Sequence, residues 1–355
     1  MKPGRNLQEL LKELERQAEA KRDYISPASS LKLEEDGYTL SMGEQSFGTT
    51  GLFHKQMATA LNIPVKYYEL MRNEKSELLA ENVNSWLFDR KQKYMVRTLD
   101  GRARALLSDR YMRIDNAEVA SAVLPLFAGV AGAEVMSSEV TETKLYLKIV
   151  NHRMEAKCVG DTVQAGVVIS NSEVGMGAVM IRPLVYTLVC KNGLIVNSLG
   201  ERKTHIGRSL NGFDGILSDE TKAAEDKAFL LKLRDVVKAA LDETVFRRVI
   251  EELEKAAENP ITGHVEEVVE LTCREYGMTE WEQEGILKYL ISGGELSRYG
   301  LSNAVTRASQ DAESYDRATE LESIGWNVIT MPSRQWRDIN ASDHRHRDIQ
   351  RSEPV

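Results

Sequence analysis

Between positions 90 and 113 the chain carries Arg90, Lys91, Lys93, Arg97, Arg102, Arg104, Arg110 and Arg113, opposed only by Asp100 and Asp109. Trp86 opens the stretch, and Tyr94 and Tyr111 are interleaved with the cations. Single-stranded nucleic acid is held by this mixture of cations that follow phosphates and flat rings on which bases stack. In a hairpin, Arg102 and Arg104 share a face, because strand side chains alternate with a period of two. Lys93 and Arg97 are in phase with each other on the same grounds. The competing reading is a solvated sheet face whose cations pair with acids from the C-terminal helices. A second basic group, Arg202, Lys203, His205 and Arg208, lies in the glycine-rich segment GERKTHIGRSLNG. Such a segment reads as a long loop, either a contact element or a plain connector.

Other chemistry-bearing residues give weaker signals. The segment Asn171–Gly177 contains Gly175-x-Gly177, but it lacks the full phosphate-loop pattern and a following helix. A turn with glycines at positive φ explains it better. Gln56–Met71 imitates a helix-turn-helix that would offer Lys66, Tyr67 and Arg72 to a groove, a pattern that packed helical hairpins also give. His54, His152 and His264 stand alone. His344 and His346 with Asp343 and Asp348 look rich in metal ligands but fall in a polar tail without fixed support. No catalytic residue, metal site or cofactor is assigned. Cys158, Cys190 and Cys273 form no CxxC pair and read as buried apolar residues, Cys190 in a strand being the clearest case.

The elements that must position these residues follow from periodicity. The chain has 355 residues, 42% hydrophobic and 28% charged, with a formal net charge of −8. That composition suits a folded domain or two and argues against a wholly basic nucleic-acid coat. No membrane span or signal segment is legible, so a cytoplasmic location is expected. The pattern predicts helices over 5–22, 52–61, 65–71 and 75–88, and short strands within 30–47. A hairpin turns at Asp100-Gly101. A helix over 116–128, strands near 133–139 and 143–151, and the meander Val163–Val196 come next. Helices are predicted over 219–258 (one or two), 264–276, 279–292 and 301–323, with an extended segment at Asn327–Met331. The expected class is α+β, with a central antiparallel meander between helical ends. The regions divide as 1–90, 91–215, 216–340 and a frayed tail, 341–355.

Four ordered motifs carry a family resemblance. They are Ala105–Tyr111 with Ile114–Asn116, the meander ending Val189–Gly193, Arg298–Thr306, and Gly325–Ile329 with Pro332 and Trp336. Over about residues 50–340 the chain resembles the phage/plasmid-like family called domain of unknown function 932. The resemblance implies a phage, prophage or plasmid context and DNA metabolism, and it supplies no reaction. The expected function is therefore non-enzymatic binding of single-stranded DNA in replication or recombination of a mobile element, with self-association as a homo-oligomer. The expected contacts are Lys93, Tyr94, Arg97, Arg102, Arg104, Arg110, Tyr111, Arg202, Lys203, His205 and Arg208. The alternative is a factor that docks a host or phage protein through the acidic helices of 219–290.

Overall fold

The structure, a computed structural model, describes residues 1–111, 114–197, 205–206, 219–240 and 242–341. Among them the chain forms α1 (Leu7–Ala20), β1 (Arg22–Pro27), β2 (Leu31–Leu33), β3 (Thr39–Met42) and β4 (Gln45–Thr49). Three helices follow, α2 (Gly51–Leu61), α3 (Val65–Glu74) and α4 (Ser76–Phe88), then the hairpin β5 (Lys93–Leu99) and β6 (Arg102–Ser108). Helix α5 (Asn116–Ala128) leads to β7 (Ala133–Val140), β8 (Leu145–Cys158), β9 (Asp161–Asn171), β10 (Val179–Thr187), β11 (Gly193–Ile195) and β12 (His205–Ile206). The C-terminal part is helical: α6 (Asp219–Ala240), α7 (Glu243–Ala257), α8 (Val265–Glu275), α9 (Glu280–Gly293), α10 (Arg298–Ala308), α11 (Tyr315–Ile329) and α12 (Ser333–Asn340). No helix among the described residues is long and apolar enough to cross a membrane.

Two compact units cut across the linear division. The smaller comprises Leu11–Val119 with Ser172–Ala178, and the larger comprises the rest. The smaller unit holds a mixed sheet in the order β1-β5-β6-β4-β3-β2, with β4 and β6 parallel. Its main core lies on one sheet face, where Tyr94, Val96, Ala103 and Leu106 meet Phe53, Met57, Leu79, Val83 and Leu87 of α2 and α4. The hairpin turn takes left-handed φ at Asp100 (51°) and Gly101 (73°), the geometry that the Asp-Gly pair favours.

The larger unit is built on the antiparallel order β11-β10-β9-β8-β7, with β12 against β10. Val163, Ala165, Val185 and Leu194 are buried under Phe246, Leu253, Tyr299 and Trp326 of the C-terminal helices. The expected α+β class with its antiparallel meander is what the chain forms.

Local expectations fail where packing overrides propensity. The helix expected over 301–323 is two helices, because Ser314 caps α11 by accepting from the Arg317 amide. The apolar segment expected to be extended after Asn327 instead completes α11, and the face carrying Val328 and Ile329 is buried. Cys190 lies in the turn after β10 and is half-buried, whereas Cys158 and Cys273 are buried.

Candidate nucleic-acid interface

The hairpin that should present the cations does so only in part. Lys93, Arg102 and Arg110 are exposed, but Arg97 has no accessible surface and Arg104 and Tyr94 are buried. The reason lies in the strand register. Arg97 pairs with Ala105 and Thr98 with Ala103, so Arg104 is the extra residue of a β-bulge. The bulge interrupts the period of two at Arg104, which is buried, while Arg102, opposite Leu99, stays exposed. Arg104 turns instead to the side of Arg97.

There the two arginines meet carboxylates. Arg97 donates two 2.8 Å bonds to the two oxygens of Asp23, and one of 3.0 Å to the Glu173 carbonyl. Its Nη1 is 3.2 Å from an Asp115 oxygen. Arg104 donates to Glu173 Oε2 at 2.6 Å. Lys21 Nζ is 2.6 Å from Asp115 and 3.5 Å from Glu173. The Asn116 amide, at the start of α5, donates to Glu173 Oε1 at 2.6 Å. Three cations thus face three carboxylates, which satisfies the rule that buried charge must be paired. Burial lowers the Arg97 pKa, but the bond and charge of Asp23 outweigh it, so the value ends above the ordinary one. For Arg104 burial dominates despite Glu173, and the pKa falls.

Glu173 comes from the loop Ser172–Ala178. The glycines of that loop have positive φ, 77° at Gly175 and 140° at Gly177, as the turn reading required. A Cβ on Gly175 would stand 2.6 Å from Leu107. The loop therefore serves the arginines rather than a phosphate.

The aromatic residues are also redistributed. Tyr94 is in the core, and its hydroxyl accepts from Gln92. Half-buried Tyr111 donates its hydroxyl to the Ser172 carbonyl at 3.1 Å. Arg97, Arg104 and Tyr94 are thus corrected from surface contacts to interior residues. The exposed rings are Trp86, 51% accessible, and Phe88, 76% accessible. Leu79, Val83 and Leu87 form the buried stripe of α4, and Trp86 and Phe88 lie off it. That phase was the available signal. Directly after them come half-buried Arg90 and exposed Lys91 and Lys93, against the single acid Asp89. Asp100, one of the two acids of the stretch, is engaged by Arg16 at 2.7 Å.

Lys66 and Tyr67 on α3 are exposed, while Arg72 is paired with Glu69 at 2.6 Å. Arg113, Arg202, Lys203 and Arg208 lie outside the described residues. His205 is placed only by its backbone, opposite Met180. The ligand-rich tail with His344 and His346 is likewise outside. Among the described residues no group of three or more His, Cys, Asp or Glu could hold a metal ion.

His54 is not isolated. Its Nδ1 lies 2.9 Å from the Tyr68 hydroxyl and its Nε2 lies 2.7 Å from Thr49 Oγ1. Thr49 in turn donates to the Tyr38 carbonyl at 2.6 Å. Burial, assisted by Arg72, lowers its pKa to about 4. The ring is therefore a neutral link in a satisfied chain of bonds, with Nε2 carrying the proton.

Residues 104–208 match a domain of unknown function, DUF932. The DUF932 segment takes in most of β6, helix α5 and the whole meander β7 to β11. It carries the motif at Ala105–Tyr111 and the turn Val189–Gly193. The motifs at Arg298–Thr306 and Gly325–Trp336 fall beyond it. Neither the curated proteins nor the solved structures contain a match to this chain.

Proposed function

We propose that this protein binds single-stranded nucleic acid through its smaller unit, in the replication or recombination of a phage, prophage or plasmid. The observation that carries the reading is the pair of exposed rings, Trp86 and Phe88, running directly into Arg90, Lys91 and Lys93. Phe88 is 76% accessible, and bases offer flat faces to such rings without regard to sequence. Exposed Arg102 and Arg110 extend the cationic surface of this unit. Arg202, Lys203, His205 and Arg208 form a second cationic segment, whose contribution is measured separately. The interior cations play no part in contact, because water and phosphate do not reach them. Self-association would multiply weak contacts into useful affinity.

Fluorescence anisotropy with single-stranded and duplex DNA at two salt concentrations tests this. Trp86→Ala with Phe88→Ala should weaken single-strand binding at least tenfold, since each stacked base contributes roughly 1–3 kcal/mol. Lys91→Gln with Lys93→Gln should flatten the salt slope by about 1.4, at roughly 0.7 per phosphate contact. Equal affinity for duplex and single strands, or no response to either double variant, would sink the reading.

A second reading is supported by a different surface. Trp281 at the start of α9 is 55% accessible and is flanked by exposed Glu280 and Glu284. With the exposed acids of α7 and α8 it would suit a basic host or phage protein. Recovery of one stoichiometric protein partner that Trp281→Ala abolishes would favour it.

A further inference from the structure

The turn after β10, the turn between β8 and β9, and helices α9 and α10 border a cavity of about 410 Å³ in the larger unit. Its walls are fixed. Gln310 donates to the carbonyls of Cys190 (3.0 Å) and Lys191 (3.2 Å), and Asn192 donates to Thr306 Oγ1 at 2.5 Å. Lys191 and Val159 hold left-handed φ of 52° and 48°. For a β-branched residue such as Val159 this is a strained conformation, which persists only when its surroundings impose it.

Arg307 lines this cavity. It is half-buried, and its guanidinium carbon is 5.2 Å from the ring centroid of Tyr289, whose hydroxyl donates to Asp311. Among the described residues its guanidinium makes neither an ion pair nor a hydrogen bond. Among the described residues, the buried arginines Arg97, Arg104 and Arg298 and the half-buried Arg182 and Arg317 all donate to protein oxygens. A guanidinium held beside a ring at the wall of a cavity, with no protein acceptor among the described residues, is suited to an incoming anion.

We propose that this cavity binds a small organic carboxylate. The planar fork of Arg307 matches the two oxygens of a carboxylate. Val189, Leu290, Ala304 and Tyr299 supply an apolar wall for the rest of the molecule. Asp161 and Glu295 also line the cavity, and their charge disfavours a phosphate dianion against a singly charged carboxylate. No bond is made or broken. Cys190 stands in the wall with its thiol pKa raised by burial and by Asp161, so it alkylates slowly and is a bystander to binding.

That bystander is a reporter. The full-length protein is alkylated at Cys190 with iodoacetate or with neutral iodoacetamide, and the modified peptide is quantified by mass spectrometry. In each case the sulfur displaces iodide, so the ratio of rates reads only the preference for a carboxylate. The ratio should exceed that of the guanidinium-unfolded chain and fall about fivefold or more in Arg307→Gln, with Arg307→Lys retaining part of it. Propionate should protect the wild-type thiol where inorganic phosphate at the same concentration does not. Cys158 and Cys273, both 1% accessible, must stay unmodified if the variants are folded. If Arg307→Gln unfolds, the propionate arm on the wild type decides alone. A ratio indifferent to Arg307, or no protection by propionate, overturns the proposal. Protection by phosphate in place of propionate overturns the ligand class.

Discussion

In the smaller unit, Arg97 divides its charge among Asp23, Asp115 and a carbonyl, and Lys21, Arg104 and Glu173 complete a balanced set. In the larger unit, Lys148 faces Glu322 at 2.6 Å, both side chains without accessible surface. Lys148 also lies against the ring of Tyr315, 4.6 Å from its Nζ. The first arrangement shares each charge among several bonded partners, whereas Lys148 bonds to a single carboxylate, on which Arg182 and the N-terminal ammonium act only through their charge. Removing a member of a network leaves its partners other contacts, whereas removing the one bonded carboxylate of Lys148 strands a charge in a medium that cannot solvate it.

The sharpest way to break this contrast is Glu322→Gln. It should cost about 3–5 kcal/mol in guanidinium unfolding, while Lys148→Met with Glu322→Leu should recover most of the loss. Burial already lowers the Lys148 pKa, so the stranded amine can shed its proton. The deficit of Glu322→Gln should therefore shrink as pH rises toward the unfolded value near 10.5. A deficit that ignores pH would show that Lys148 keeps its charge by another route.

Next in size is His54, a buried polar group that needs no counter-charge because it stays neutral. Its folded pKa is about 4 against 6.5 for a free imidazole. Its contribution is complete above pH 6.5 and lost as pH falls toward 4, because only the unfolded chain takes up the proton in that window. The loss amounts to about 3 kcal/mol. His54→Gln should flatten the pH dependence of unfolding across that interval.

Asp23→Asn should cost about 2 kcal/mol, less than Glu322→Gln, because Arg97 retains Asp115 and the Glu173 carbonyl. A larger cost than that of Glu322→Gln would overturn the claim of redundancy. Smallest of all, Lys93→Gln should change stability by under about 0.5 kcal/mol, since that side chain sits in water, and Arg102→Gln by at most about 1 kcal/mol, since it loses one 3.2 Å bond to the Thr49 carbonyl.

The architecture was largely legible because its elements carry strong local patterns. Leu7, Leu10, Leu11 and Leu14 mark α1, Asp100-Gly101 marks the hairpin, and Val163–Ser170 marks β9. The site was less so. A run of cations on a strand reads as a water-facing row only if the period of two is unbroken, and the bulge at Arg104 breaks it. Asp23 and Glu173, 150 residues apart, announce themselves nowhere as partners. Lys148 stands as one polar residue in the apolar run Leu145–Val150, and its complement lies on α11, far along the chain. By contrast, Trp86 and Phe88 could be placed outside from sequence, because Leu79, Val83 and Leu87 already account for the inner face of α4.

The unpaired residue in β6 has a consequence for insertions and deletions. A hairpin lacking Arg104 would still match Arg97 with Ala105 and Thr98 with Ala103, and every remaining rung would find its mate. What such a shortened chain would forfeit is electrical neutrality. Lys21 and Arg97 would then confront Asp23, Asp115 and Glu173, leaving one negative charge uncompensated in the interior. The supernumerary position thus works as ballast, keeping the charge even where the backbone alone has no use for it.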